Sequence, residues 1–325
     1  VAFPSFLSAL WFGEPLWIWL SFVVVLGSML IFDLGVSHKQ ARAISIRESI
    51  ITSTCYTLVA VLFGAWVWWK LGHDKAFDFY TGYAVELSLS LDNVFVIAMI
   101  LAYFRIPQQF QYKVLFWGIL GAVVLRGIMV FAGIAILYEM EYVLYLFAAF
   151  LIYSGIKMAL ASDNAQIDLS HNRILHFLET HLRVSKTFNH DKFFILKENR
   201  HNKHVWYITP LLLALVMVEM VDVLFAMDSI PAIFAITRDP FIVISSNIFA
   251  IIGLRSLYFS LSAMLNRFYY MKYALAALLV LIGSKMIISD MLGWVHISSL
   301  QSLSMTIVVL LAGAGYSIFK TRMSQ

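Results

Sequence analysis

The chain has 325 residues, 61% of them hydrophobic and 13% charged. A soluble domain runs about 45–50% apolar and about 25% charged, so the composition excludes that class and indicates an all-α polytopic membrane protein. The formal net charge of +4 would suggest a nucleic-acid partner in a soluble protein; here it reflects Lys and Arg gathered in cytoplasmic loops. The single cysteine, Cys55, excludes a disulfide framework, a CxxC pair and a thiolate metal cluster.

Long apolar runs predict nine membrane helices: Pro15–Gly35, Ile50–Trp69, Phe77–Phe104, Tyr112–Tyr138, Tyr142–Ala161, Ile208–Ile236, Pro240–Leu265, Tyr270–Met291 and Ser298–Phe319. The first run reads as a span rather than a signal peptide, because Glu14 stands where a basic leader would be. The organisation expected is one transmembrane domain: two leading helices (15–75), a first three-helix unit (77–161), a loop (162–204), a second unit (208–291) and a last helix (298–319). With Lys113 and Lys272, at the very ends of their spans, counted among the flanking bases, four of the 23 Lys and Arg lie inside spans: Arg126, Lys157, Arg255 and Lys285. Three more (Lys70, Lys75, Arg238) share the side of the N-terminus and sixteen lie opposite. The positive-inside rule therefore puts the N-terminus outside and the C-terminus in the cytoplasm. The loop Ser162–His204 holds six of the nine histidines. His171, His176 and His181 do not share a helical face, since five residues turn a helix by about 140°. The loop reads first as a solvated linker with a short amphipathic helix over Arg173–Val184, and second as a pH or metal sensor.

The two units repeat one another. Tyr145–Met158 matches Tyr273–Met286 at 7 of 14 positions, both ending in Gly-x-Lys-Met. Leu125-Arg126 aligns with Leu254-Arg255, and Glu86 and Asp92-Asn93 align with Asp222 and Asp228-Ser229. Each unit has an odd number of spans, so the second is inverted relative to the first. Inverted repeats with a site at their interface are a recurrent transporter design.

The third span carries Glu86, Ser90, Asp92 and Asn93, and the sixth carries Glu219, Asp222, Asp228 and Ser229. Each acid at a span centre costs about 2.5–3.5 kcal/mol on insertion scales, so such residues pair, bind a cation or line a polar path. Glu86, Ser90 and Asn93 form one helical stripe, and Glu219, Asp222 and Ser229 form another. Asp92 and Asp228 lie about 120° off these stripes in a straight helix; a break at Pro231, or a strong tilt, would bring them in. Asn247 of the seventh span is a further amide donor. Carboxylate, amide and hydroxyl oxygens suit a hard divalent cation such as Mn²⁺, Mg²⁺ or Ca²⁺. Met220 and Met227 read first as packing residues of an apolar helix; the lesser alternative is that they add softer donors favouring Mn²⁺. Arg126 and Arg255 are candidate charge partners or gates, whereas Lys157 and Lys285 are expected to snorkel from helix ends. If the two arginines neutralise one acid each, three carboxylates remain for a cation, and protons would compete for the same oxygens. No permanent cofactor is expected; the partners are the transported cation, protons and the bilayer.

Glu86–Asn93, and above all Glu219–Thr237 and Asn247–Phe259, resemble the TerC family of integral membrane proteins, closest to its Alx branch, over about Leu16 to Ile318. The resemblance implies nine helices, a bacterial inner-membrane location and manganese(II) export, with relatives linked to tellurium resistance and to metal supply for secreted proteins. It also implies that Glu86, Asp92, Glu219, Asp222 and Asp228 are the functional acids. Clustered carboxylates repel an oxyanion, so a tellurite link is expected to be indirect. Two other readings stand beside transport. One is a non-transporting assembly or metalation factor. The other is an intramembrane aspartyl protease, disfavoured because its Gly-x-Gly-Asp pattern is missing; an enzyme is not expected.

Overall fold

The computed structural model describes residues 9–36, 46–140, 142–160, 184–185, 192–198, 204–262, 271–291 and 297–323. Nine long helices lie among them: α1 Leu16–Val36, α2 Ile46–Leu71, α3 His73–Tyr103, α4 Gln108–Glu139, α5 Val143–Leu160, α6 Pro210–Phe234, α7 Pro240–Ser262, α8 Met271–Lys285 and α9 Ser299–Met323. In these apolar runs the helix satisfies its own backbone, as hydrocarbon requires. Five helices (α2, α4, α5, α6 and α9) contain stretches long and apolar enough to cross a membrane, and apolar stretches of α1 and α7 are shorter. Leu20, Val24, Ile31, Leu62, Leu146 and Leu311 point outward on these helices. The molecule is an all-α membrane protein.

α2 and α3 meet across one residue. Gly72 has φ of +95°, a conformation that a side chain would strain. α3 spans 31 residues without interruption, a rise of about 46 Å. α6 also runs continuously through Pro231, in place of the break expected there. The proline stands three residues before the helix end, so its missing N–H leaves only the Met227 carbonyl without its usual partner.

Helix pairs close through glycine. A Cβ at Gly155 of α5 would stand 2.7 Å from the Ala276 carbonyl of α8, and one at Gly283 of α8 would stand 2.9 Å from the Ala148 carbonyl of α5. α4 and α6 touch at Gly118 with Val218 and at Gly133 with Phe234, so they run parallel. α3 and α7 also run parallel, with Gly82 beside Ser246 and Gly253 beside Tyr83 and Leu87. One end of the bundle is an aromatic core in which Phe63 stacks near Phe79, Phe241 and Phe249.

At that end Lys75 of α3 holds two carboxylates. One is Glu14 of a short hairpin, β1 Leu10–Trp11 with β2 Glu14–Pro15; the other is Asp239, at 2.6 Å. Asp239 in turn accepts the Phe241 and Ile242 N–H groups as the N-cap of α7. Burial pulls the Lys75 pKa down, but hydrogen bonds from Lys75 to Asp239 and Glu14, and their charges, outweigh it and raise it above its ordinary value.

Two expectations are corrected. Lys285 does not snorkel: it is buried, donates to Ser302 Oγ at 3.3 Å and lies near Asp78. Its partners on α3 and α9 hold the ammonium inside. Nor is the long loop wholly a linker, because β3 Phe194–Glu198 and β4 His204–Ile208 form an antiparallel hairpin. Its charged flanks hide two short segments rich in aromatic and β-branched residues. The helix expected over Arg173–Val184 lies outside the described residues except for Val184, which forms a parallel bridge with Ile208.

Candidate cation site

The polar stripes of α3 and α6 face each other across Arg126 of α4. Glu86, Ser90 and Asn93 are all buried on one face of α3. On α6, Asp222 and Ser229 reach the same guanidinium, and Asn247 enters from α7. Arg126 is 2% exposed. It pairs with Glu86 through Nη1, and with Asp222 through Nη2 to Oδ1 at 3.1 Å and Nε to Oδ2 at 3.3 Å. The Asp222 contact is the two-pronged arginine–carboxylate arrangement. Nη1 also lies 3.3 Å from Ser229 Oγ and from Asn247 Oδ1. It has two hydrogens for three acceptors, so these contacts are shared. Asn247 Nδ2 donates to the Val243 carbonyl at 3.0 Å, which turns its Oδ1 toward the arginine.

Oxygen is left over at this junction. Ser90 Oγ, Asn93 Oδ1 and Glu219 Oε2 are buried without a hydrogen-bond partner. Glu219 packs against Gly121 of α4, where an added Cβ would overlap its carboxylate. Arg126 therefore holds two carboxylates with one charge, while a third stands one helical turn from Asp222. Asn93 and Asp222 border a cavity of about 40 Å³, walled otherwise by apolar side chains such as Ile97, Val218 and Leu254, with Tyr258 beside them. That volume has room for water.

The remaining expected residues fall elsewhere. Asp228 accepts a hydrogen bond from Ser154 Oγ of α5 at 2.9 Å, with Lys157 nearby. This is the off-stripe direction that a continuous helix imposes. Asp92 lies on α3 and Arg255 on α7, but their side chains are outside the described residues. Met227 is 52% exposed on the outside of α6, which removes it as a soft ligand, and Met220 packs in an apolar cluster. Among the described residues no three His, Cys, Asp or Glu side chains converge as a ready metal cage. Sequence reasoning did not find Ser154 as the Asp228 partner, nor Gly121 as the space for Glu219. It also assigned Arg126 one acid where the fold gives it two.

The sequence profile of the integral membrane protein TerC family matches residues 71–325. This chain belongs to the TerC family. Among relatives, a candidate membrane-bound redox modulator named Alx from Salmonella typhi is 45% identical over 287 residues, covering 86% of this chain and 87% of the relative. The protein of that name in Escherichia coli K12 is 42% identical over the same length, with the same coverage. An uncharacterised membrane protein of Myxococcus xanthus is 41% identical over 312 residues, covering 95% of this chain and 94% of its own. No solved structure matches the chain. The family match extends over α3–α9, and so includes every residue of the Arg126 junction.

Proposed function

We propose that this TerC protein moves a hard divalent cation across the membrane, in its specific form exporting Mn²⁺ in exchange for protons. The reading is carried by the three partnerless buried oxygens, Ser90 Oγ, Asn93 Oδ1 and Glu219 Oε2, on the two stripes that Arg126 joins. A buried polar oxygen without a partner costs about 1–3 kcal/mol. Hydroxyl, amide and carboxylate oxygens together form a donor set for a hard ion. Arg126 then serves as a tethered counter-ion. A cation arriving through the cavity at Asn93 and Asp222 competes with the guanidinium for Glu86 and Asp222, and is completed by the free oxygens. A proton on a carboxylate weakens the same competition, which couples ion release to protonation. An inward proton gradient would drive the ion outward.

The inverted repeat belongs to this proposal and has support in packing. Gly155 meets Ala276 and Val280, while Gly283 meets Ala148 and Ile152. Under the alignment of Tyr145–Met158 with Tyr273–Met286 these are the same contacts made reciprocally, as a two-fold relation between α5 and α8 requires. We extend it to nine crossings in a bacterial inner membrane, the N-terminus outside and the C-terminus cytoplasmic. The redox name carried by the relatives has little chemistry to rest on here: a dithiol couple needs two cysteines, and this chain has one.

Mn²⁺ uptake into inverted membrane vesicles tests the proposal. The wild type should accumulate the ion under a proton gradient, and Asp222→Asn and Asp92→Ala should not. No accumulation by the wild type, or undiminished accumulation by both variants, would overturn it. In the first case, cellular function retained after neutralising all five acids favours a non-transporting assembly or metalation factor.

A further inference from the structure

We propose that the hairpin β3–β4 is a membrane-docking element, whose outward apolar face lies on the anionic headgroup surface of the bilayer the chain crosses. Strand alternation turns Ile195 inward, where it is buried, and Phe194 and Leu196 outward, at 53% and 48% exposed. Leu196 is paired with Trp206, which is 65% exposed. The outward face thus presents Phe194, Leu196 and Trp206 within a segment whose flanks are polar. A two-stranded hairpin is marginal in water, and an apolar patch on its open face marks an interaction surface.

The hairpin's position selects the partner. Thr209, the residue before α6, donates its N–H to the Phe193 carbonyl at 3.0 Å and its hydroxyl to the Lys192 carbonyl at 2.9 Å. The two strand ends are thereby tied to the first turn of a membrane-crossing helix. The Phe193 ring lies 6.4 Å from Trp117 of α4, and Lys113 Nζ stands 5.0 Å from its centroid. Trp117 is itself half-exposed on the outside of α4. The hairpin therefore continues a lipid-facing surface at the level where two helices begin, the depth that Trp prefers. Charge fits the same partner: residues 183–204 contain six Lys or Arg against two Asp or Glu, and bases attract anionic headgroups. An aromatic face with a basic surround is the pattern of an interfacial segment. The inference does not depend on cation transport.

The test uses the full chain in nanodiscs, with Cys55→Ser and Leu196→Cys labelled by an environment-sensitive fluorophore. The discs are phosphatidylcholine with or without phosphatidylglycerol. In discs containing phosphatidylglycerol, lipids brominated near the headgroup should quench the label and aqueous iodide should not. A base near an anionic surface favours docking about fivefold, so Lys192→Gln, at an exposed position of the same parity as Phe194 and Leu196, should shift the docked ratio by about fivefold. An unchanged melting temperature confirms that this variant is folded. Equal iodide quenching in both lipids, or bromolipid quenching indifferent to phosphatidylglycerol, would overturn the proposal. So would iodide protection that disappears on dilution, which would assign the face to a second copy of the chain.

Discussion

The Arg126 junction and the α5–α8 seam sit in the same bundle and are held together in opposite ways. At the seam, Gly155 and Gly283 let two backbones approach until a methyl group would overlap a carbonyl. Nothing polar is asked of either side. At the junction, one guanidinium gathers carboxylates from α3 and α6, and three oxygens remain without partners. The seam is closed packing with one solution, because small residues give dispersion contact only at that distance. The junction has more acceptors than donors, so a second cation or a proton has somewhere to go. Rigidity and surplus are thus separated in space, an arrangement that the proposed transport around a fixed site would use.

Variants that break the comparison should rank by what they leave buried. Arg126→Gln should have the largest effect, since it strands Glu86 and Asp222; breaking a buried pair costs about 3–5 kcal/mol. Thermal unfolding in detergent should show a large loss, and added Mn²⁺ should restore part of it if the ion takes the place of the guanidinium. A melting temperature equal to wild type would mean that the acids do not need the arginine. Gly155→Val should follow, with overpacking of about 1–3 kcal/mol or more. The same substitution at Gly283 should cost a similar amount if the seam is two-fold, and a large difference would refute that symmetry. Ser90→Ala removes an oxygen that has no partner, so stability should be unchanged or rise slightly while the KM for Mn²⁺ rises. A clear loss of stability would show that the hydroxyl was bonded after all.

The smallest effect is expected outside the membrane. Lys75→Met leaves the buried Glu14 without its ammonium and should lower the melting temperature. The Lys75 pKa is raised by Asp239 and Glu14, so its contribution is complete below the ordinary lysine value and fades as pH rises through the raised one. The gap between wild type and variant should narrow over that alkaline range. A gap constant with pH would assign the loss to packing of the lysine stem.

Much of the fold was legible because lipid demands it. Apolar runs gave helices whose ends differ from the observed ones by a few residues, as α5 at Val143–Leu160 against Tyr142–Ala161 illustrates. The stripe Glu86–Ser90–Asn93 was legible from helical periodicity alone, and so was the off-stripe direction of Asp228. The β3–β4 hairpin was not, because its short apolar strands are diluted by surrounding charge. Lys285 was misread for a related reason: a lysine near a helix end ordinarily reaches for water, and only the neighbouring α3 and α9 show that it is enclosed.

By itself the sequence determined the membrane class, the family and the acids that do not belong in hydrocarbon. Those follow from composition and period, which are local properties of a chain. It could not determine that Arg126 takes two carboxylates, that Asp228 turns instead to Ser154, or which oxygens stay unpaired. These depend on which face of α4 meets α3 and α6, and on a glycine at 121 that lets Glu219 fit. Charge balance inside a bilayer is set by such contacts between distant segments, and only tertiary packing decides them.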